Sequence, residues 1–158
     1  MRLRAHVTVG FGAAVLASAI ASAQSGAPVV VAGTTLSGVY SQAQAKRGAD
    51  TFKKSCLECH VPSEYTGETF TSKFVGGTAF DVYELIRSSM PQNDPGSLTG
   101  QQYTDLVAYL FEINGLPTRE AELPMVIDSL KAIKVEVKAP RSRHLKGATT
   151  AHGSSRIR

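Results

Sequence analysis

The stretch Cys56-Leu57-Glu58-Cys59-His60 holds both of the chain's cysteines, and it limits the possible folds more than any other feature. Cysteines three positions apart lie on one side of a helical turn, and here an imidazole follows directly after the second. No second pair exists from which to build a disulfide framework. The chain has 158 residues and no tryptophan. With its two ends set aside, about 115 residues remain, a size at which domains often need a metal, a disulfide or a buried cofactor to complete the core. The motif is therefore expected to hold something that the fold depends on.

Both ends read as separate from that body. Arg2 and Arg4 precede the Ala-rich run VTVGFGAAVLASAIASA, and Ala21-Ser22-Ala23 supplies a small-x-small cleavage site. Residues 1–23 are expected to be a signal peptide, cleaved before Gln24, because the run is short and glycine-interrupted for a membrane span. The expected location is the periplasm. In such an oxidising compartment Cys56 and Cys59 should be bonded to each other or to another group. Residues 24–40, rich in Gly, Ser and Pro, read as a linker or weakly ordered arm. Residues 139–158 hold five of the seventeen Lys and Arg and no acid. They read as a basic, disordered tail that could touch an acidic partner or a membrane surface. Residues 24–138 carry ten basic against thirteen acidic residues, so the sequence pI of 9.2 hides a slightly acidic body.

Three helices are expected inside it, with long loops between them and no period-two strand pattern: an all-α class. The first, SQAQAKRGADTFKKSC, opens with a Ser41/Gln44 capping box. In the second, TAFDVYELIRSSM, Thr78 caps with Asp81, and Val82, Leu85, Ile86 and Ser89 follow helical spacing. The third, TGQQYTDLVAYLFEIN, has a Thr99/Gln102 box and Tyr103, Leu106, Val107 and Leu110 on one face, and is closed by Gly115 and Pro117. Between the first two lies VPSEYTGETFTSKFVGG, read as irregular, with Tyr65, Phe70 and Phe74 turned inward over something. Residues 117–138 form a less regular C-terminal extension with one short helix.

Cys-x-x-Cys-His has three chemical readings. Zinc needs four ligands, and the other exported histidines, His144 and His152, are in the tail at the wrong spacing for a finger. A thiol–disulfide redox pair belongs on a βαβ framework, of which there is no sign. The third reading is attachment of one c-type haem through Cys56 and Cys59, with His60 ligating the iron from below. A second axial ligand would decide between electron transfer and an open iron that binds gases or peroxide. Met90 and Met125 are the exported methionines beyond the motif. Met90 lies in SSMPQNDPG, where Pro91 forces the preceding residue out of helical geometry and lets the thioether project from a bend. A methionine is otherwise a core filler; here Met90 is the expected iron ligand.

From these residues the chain resembles class I c-type cytochromes over residues 41–116. Gly48 and Phe52, eight and four residues before Cys56, match the glycine and aromatic of that family's N-terminal helix. Leu106 and Tyr109 match the leucine and aromatic of the C-terminal helix that crosses it. The segment from Ser89 onward, SMPQNDPGSLTGQQYTDLVAYLFEINGLP, is similar to monohaem cytochromes that accompany quinoprotein alcohol dehydrogenases. One family feature is missing. Many members carry Gly-Pro-x-Leu-x-Gly after the motif, with the proline carbonyl orienting the histidine; here only Pro62 is near, so the partner of the second nitrogen of His60 is left open.

The resemblance implies a cytochrome c fold and an electron carrier, not an enzyme. Its donor would be a quinoprotein-like periplasmic dehydrogenase, and its acceptor a cytochrome or terminal oxidase. Two rival expectations stand beside it: a permanent cytochrome subunit of an oxidoreductase complex, such as an alcohol or sulfite dehydrogenase, and a haem enzyme or sensor with an open iron. No nucleic-acid partner is expected.

Overall fold

A computed structural model describes residues 32–138. The signal peptide, residues 24–31 of the expected linker, the basic tail, His144 and His152 lie outside the described residues.

Five α-helices and two very short strands occur among the described residues, in the order β1 (Gly33–Thr34), α1 (Gln42–Ser55), α2 (Glu68–Phe74), α3 (Ala79–Ser89), α4 (Gly100–Ile113), α5 (Ile127–Ala132) and β2 (Ile133–Lys134). None of these helices is long and apolar enough to cross a membrane. The architecture is all-α, as expected, with α2 and a 3-10 turn at Pro62–Tyr65 inside the stretch read as irregular.

Caps fix the three main helices. Thr78 and Thr99 form reciprocal boxes with Asp81 and Gln102, each satisfying two otherwise orphaned N–H groups. Ser41 forms only half of its box. Its hydroxyl accepts from the Gln44 N–H at 3.1 Å, but the Gln44 side chain turns away, donating to the Leu123 carbonyl at 3.0 Å and accepting from the Leu123 N–H at 2.7 Å. Gln44 is fully buried, and a buried amide gains more from two backbone partners than from a solvated cap.

The principal packing is α1 on α4, and it turns on Gly48. A Cβ added there would sit 1.9 Å from the Asp105 carbonyl oxygen and 2.8 Å from the Tyr109 Cβ. Only a hydrogen at this position lets the backbones come so close. Beside the crossing, the Phe52 and Tyr109 rings pack with centroids 5.4 Å apart. Arg47 straddles it, pairing with both oxygens of the buried Asp105 at 3.0 Å and with Glu122.

The N-terminal flanking segment departs from its sequence reading, while the C-terminal extension holds one short helix, α5, as expected. Residues 32–40 are no linker: Val39 and Tyr40 are core residues, and the Tyr40 hydroxyl donates to the Leu116 carbonyl at 2.6 Å. In the extension, Leu123, Leu130, Ile133 and Val135 are buried. β1 and β2 pair in parallel, Gly33 opposite Ile133, and the Thr35 hydroxyl exchanges hydrogen bonds with the backbone of Glu136. Burial of a few apolar side chains, not composition, decides order here.

Candidate functional site

The motif is wound as one turn off the end of α1. Cys56 caps that helix with its N–H on the Phe52 carbonyl, and the Cys56 carbonyl accepts from Cys59 at 3.1 Å and from His60 at 2.9 Å. The Leu57 N–H also bonds to the Phe52 carbonyl, at 3.1 Å, so the turn is tied to the end of α1. After His60 the chain is extended at Val61, and Pro62 starts the 3-10 turn, where a missing N–H costs nothing. Asn114, at the end of α4, anchors this return: its amide donates to the Tyr65 carbonyl at 2.9 Å and its oxygen accepts from Gly67 at 3.1 Å.

Cys56 is half-buried, Cys59 is exposed, and the two are not joined to each other. Burial pushes the Cys56 thiol up from its usual range, the reverse of what an attacking redox thiol needs. The imidazole of His60 is half-buried. The Tyr65 ring meets it edge-on at 5.6 Å, and its Nδ1 lies 3.3 Å from a Glu64 carboxylate oxygen. That contact fills the place left open when no proline carbonyl was found; a proton on Nδ1 leaves Nε2 with its lone pair.

Met90 ends α3. Its N–H still bonds to Ile86, while its φ of −133° and ψ of 149° are already extended, as a residue before proline must be. It faces the motif across an open cavity of about 250 Å3, lined by Phe52, Tyr65, Phe74, Ile86, Leu106 and Leu110 together with Cys56, His60 and Met90. An adjoining cleft shares Cys56, His60 and Met90 and adds Cys59 and Pro91. The four residues singled out in the sequence thus meet around one opening. Met125 lines neither space; it is exposed. Phe70 also differs from expectation. It packs behind the wall, against Phe74 at 5.4 Å and Phe111 at 6.3 Å.

Sequence reasoning did not single out Ile86 or Leu110 as cavity wall, although helical spacing marks both as inward-facing. Glu64 could have been found from its place four residues after His60.

The donor set suits one group. Among the described residues, no group of three or more His, Cys, Asp or Glu comes together in a way that could hold a metal ion. Two unlinked sulfurs, an imidazole and a thioether around an apolar cavity instead fit a flat, apolar, iron-bearing macrocycle.

Residues 43–110 match the family model described as Cytochrome C oxidase, cbb3-type, subunit III. The matched segment runs from α1 to α4 and contains the whole opening. It covers less than half of the chain. Comparison with curated proteins and with solved structures found no match. The fold is the all-α cytochrome c fold, and the match supports a c-type cytochrome: a haem-binding electron-transfer domain, not in itself an enzyme. Such a domain implies covalently bound haem c.

Proposed function

We propose that this chain is an exported monohaem c-type cytochrome that carries single electrons between a periplasmic dehydrogenase and a downstream cytochrome or oxidase. The observation that carries the reading is the gathering of Cys56, Cys59, His60 and Met90 around one apolar opening. When bound, haem c supplies an iron that takes up and gives back one electron.

Each side chain has a part in that reading. Cys56 and Cys59 hold the group through thioethers, so it cannot be lost to the medium. His60 and Met90 would hold the iron, one by an imidazole nitrogen and the other by a thioether sulfur, which would leave it no position for a substrate. The soft Met90 sulfur favours the reduced ion and raises the potential. Phe52, Phe74, Leu106 and Leu110 exclude water, which lowers the local dielectric and limits rearrangement between oxidation states. Leu57 and Val61 are exposed beside the motif, an apolar surface suited to brief docking.

Likeness to cytochromes that accompany quinoprotein alcohol dehydrogenases favours such an enzyme as donor. The description of the matching family names an oxidase subunit, and that favours a second reading, in which the chain is a permanent subunit of an oxidoreductase complex. Co-elution with a large partner at native ionic strength would decide for the subunit; elution alone would decide for the shuttle.

The reading is tested by maturing the protein in a periplasm competent for cytochrome assembly. Mass spectrometry should find one haem added on the peptide holding Cys56 and Cys59, with cleavage before Gln24. The optical spectrum should be low-spin with a weak sulfur-to-iron band near the red end, lost in Met90→Ala. Material carrying no tetrapyrrole would overturn the proposal.

A further inference from the structure

Met90 sits at the start of a weakly held loop. Residues 92–97 are exposed, and the loop's own backbone bonds are Asp94 N–H to Pro91 at 2.9 Å and Ser97 N–H to Asp94 at 3.2 Å. Neither fixes the loop to the body. A single side chain from elsewhere reaches both of its ends. The Tyr103 hydroxyl donates to the Met90 carbonyl at 2.9 Å and accepts from the Leu98 N–H at 3.3 Å. Tyr103 comes from the first turns of α4, is 1% exposed, and meets the Tyr83 ring of α3 edge-on at 6.0 Å. One buried hydroxyl therefore ties together α3, α4 and the two ends of the segment that carries the thioether.

We propose that Tyr103 is a positioning residue for Met90, a latch that keeps the thioether over the cavity and sets how readily another ligand can replace it. The proposal rests on the reading of Met90 as an axial ligand. Its physical basis is the cost of release. For Met90 to swing away, the loop must leave the Tyr103 hydroxyl, and a buried donor and acceptor lose their partners together. Without the hydroxyl, loop opening carries no such penalty, because residues 92–97 are exposed. Ring packing against Tyr83 does not supply the same restraint, since it involves no atom of the loop.

The test uses the ferric, haem-loaded protein titrated with imidazole, whose nitrogen takes the position the thioether leaves, with no change of oxidation state. Tyr103→Phe keeps the ring and removes the hydroxyl. It should bind imidazole about tenfold more tightly than the parent, the factor given by about 1.4 kcal/mol. Met90→Ala should bind more tightly still, and adding Tyr103→Phe to it should change nothing, because no thioether remains to be latched. Tyr40→Phe is the control: it deletes another buried tyrosine hydrogen bond, to Leu116, and should lower the melting temperature while leaving imidazole affinity within about twofold.

Equal affinity in Tyr103→Phe and the parent overturns the latch, as does an equal gain in Tyr40→Phe. If Met90→Ala itself binds imidazole no better than the parent, the assignment of Met90 as ligand fails and the latch falls with it. A response to Met90→Ala without one to Tyr103→Phe removes the latch alone. Should Tyr103→Phe not mature, amide exchange in the parent decides: Leu98 must exchange more slowly than Gln92 and Asn93, and equal rates end the proposal.

Discussion

The His60 side and the Met90 side of the opening are built to different standards. On the His60 side the proposed ligand follows a turn whose backbone is hydrogen-bonded into α1, and α1 is locked against α4 at Gly48. On the Met90 side the proposed ligand ends a helix and leads into an exposed loop whose two ends are bonded by one tyrosine hydroxyl. The contrast separates two properties that one cofactor needs. On the proposed reading, permanent attachment comes from a segment tied to the end of α1, beside its crossing with α4. Tunable ligation comes from one that can open locally, since stability is not uniform across a structure.

The comparison is broken most severely at the crossing. In Gly48→Ala the new methyl would lie 1.9 Å from the Asp105 carbonyl and 2.6 Å from its carbon, both of them backbone atoms. The helices must separate, at a cost of about 3 kcal/mol or more. Chemical denaturation should show that loss, and the yield of haem-loaded protein should fall with it. A variant as stable as the parent would mean that the crossing does not support the motif.

Gln44→Ala comes next. It removes both hydrogen bonds to Leu123 and leaves a buried N–H and carbonyl without partners, costing about 2–3 kcal/mol. The loss should appear as a lower denaturation midpoint, with Met90 ligation in the folded protein unchanged. If imidazole affinity rose in parallel, the C-terminal extension would belong to the Met90 side as well.

That extension marks where the sequence stopped being readable. α1, α3 and α4 were legible because each has a capping residue at its start and an apolar stripe at helical spacing. Residues 32–40 and 116–138 have neither; their order comes from scattered burials such as Val39, Leu123 and Val135, and from the Gln44–Leu123 pair, 79 positions apart. At the site, the sequence named the four residues around the opening because three stand in a motif and one beside a proline. The wall was half legible. Phe70 and Phe74 share a face of α2, and nothing in their spacing tells which one reaches the cavity. The hydroxyl of Tyr103 was hidden by its own periodicity, since a tyrosine on an apolar stripe reads as core and its bond to Met90 spans a loop.

The buried Tyr40 hydroxyl, bonded to the Leu116 carbonyl, gives the fold a pH dependence. The Tyr40 phenol is pushed up to about 12, first by burial and then by the nearby Glu112 carboxylate. Its ordinary value is 10.0, so the folded state favours the neutral phenol. The stabilisation is complete below about pH 10 and is lost as pH rises from there through about 12, amounting to something on the order of 2–3 kcal/mol. Denaturation midpoints measured from pH 9 upward should fall over that window, and Tyr40→Phe should flatten the fall. An unchanged slope in the variant would assign the alkaline loss to another group.

The smallest effect is expected at Glu64, and it sharpens the comparison because it touches the His60 ring without touching the backbone that holds it. The carboxylate is 3.3 Å from Nδ1 and about half exposed, so it adds little to stability. Its influence is on the ring. A carboxylate that accepts the Nδ1 proton makes the imidazole a stronger donor through Nε2, which favours the oxidised iron. Glu64→Gln puts a neutral acceptor in its place and should raise the midpoint potential of the haem-loaded protein. It should leave imidazole affinity within about twofold of the parent, because the backbone of the motif, not Glu64, keeps His60 in position. A large gain in imidazole affinity would mean that the His60 side, too, is held by a single side chain, and the asymmetry between the two faces of the opening would disappear.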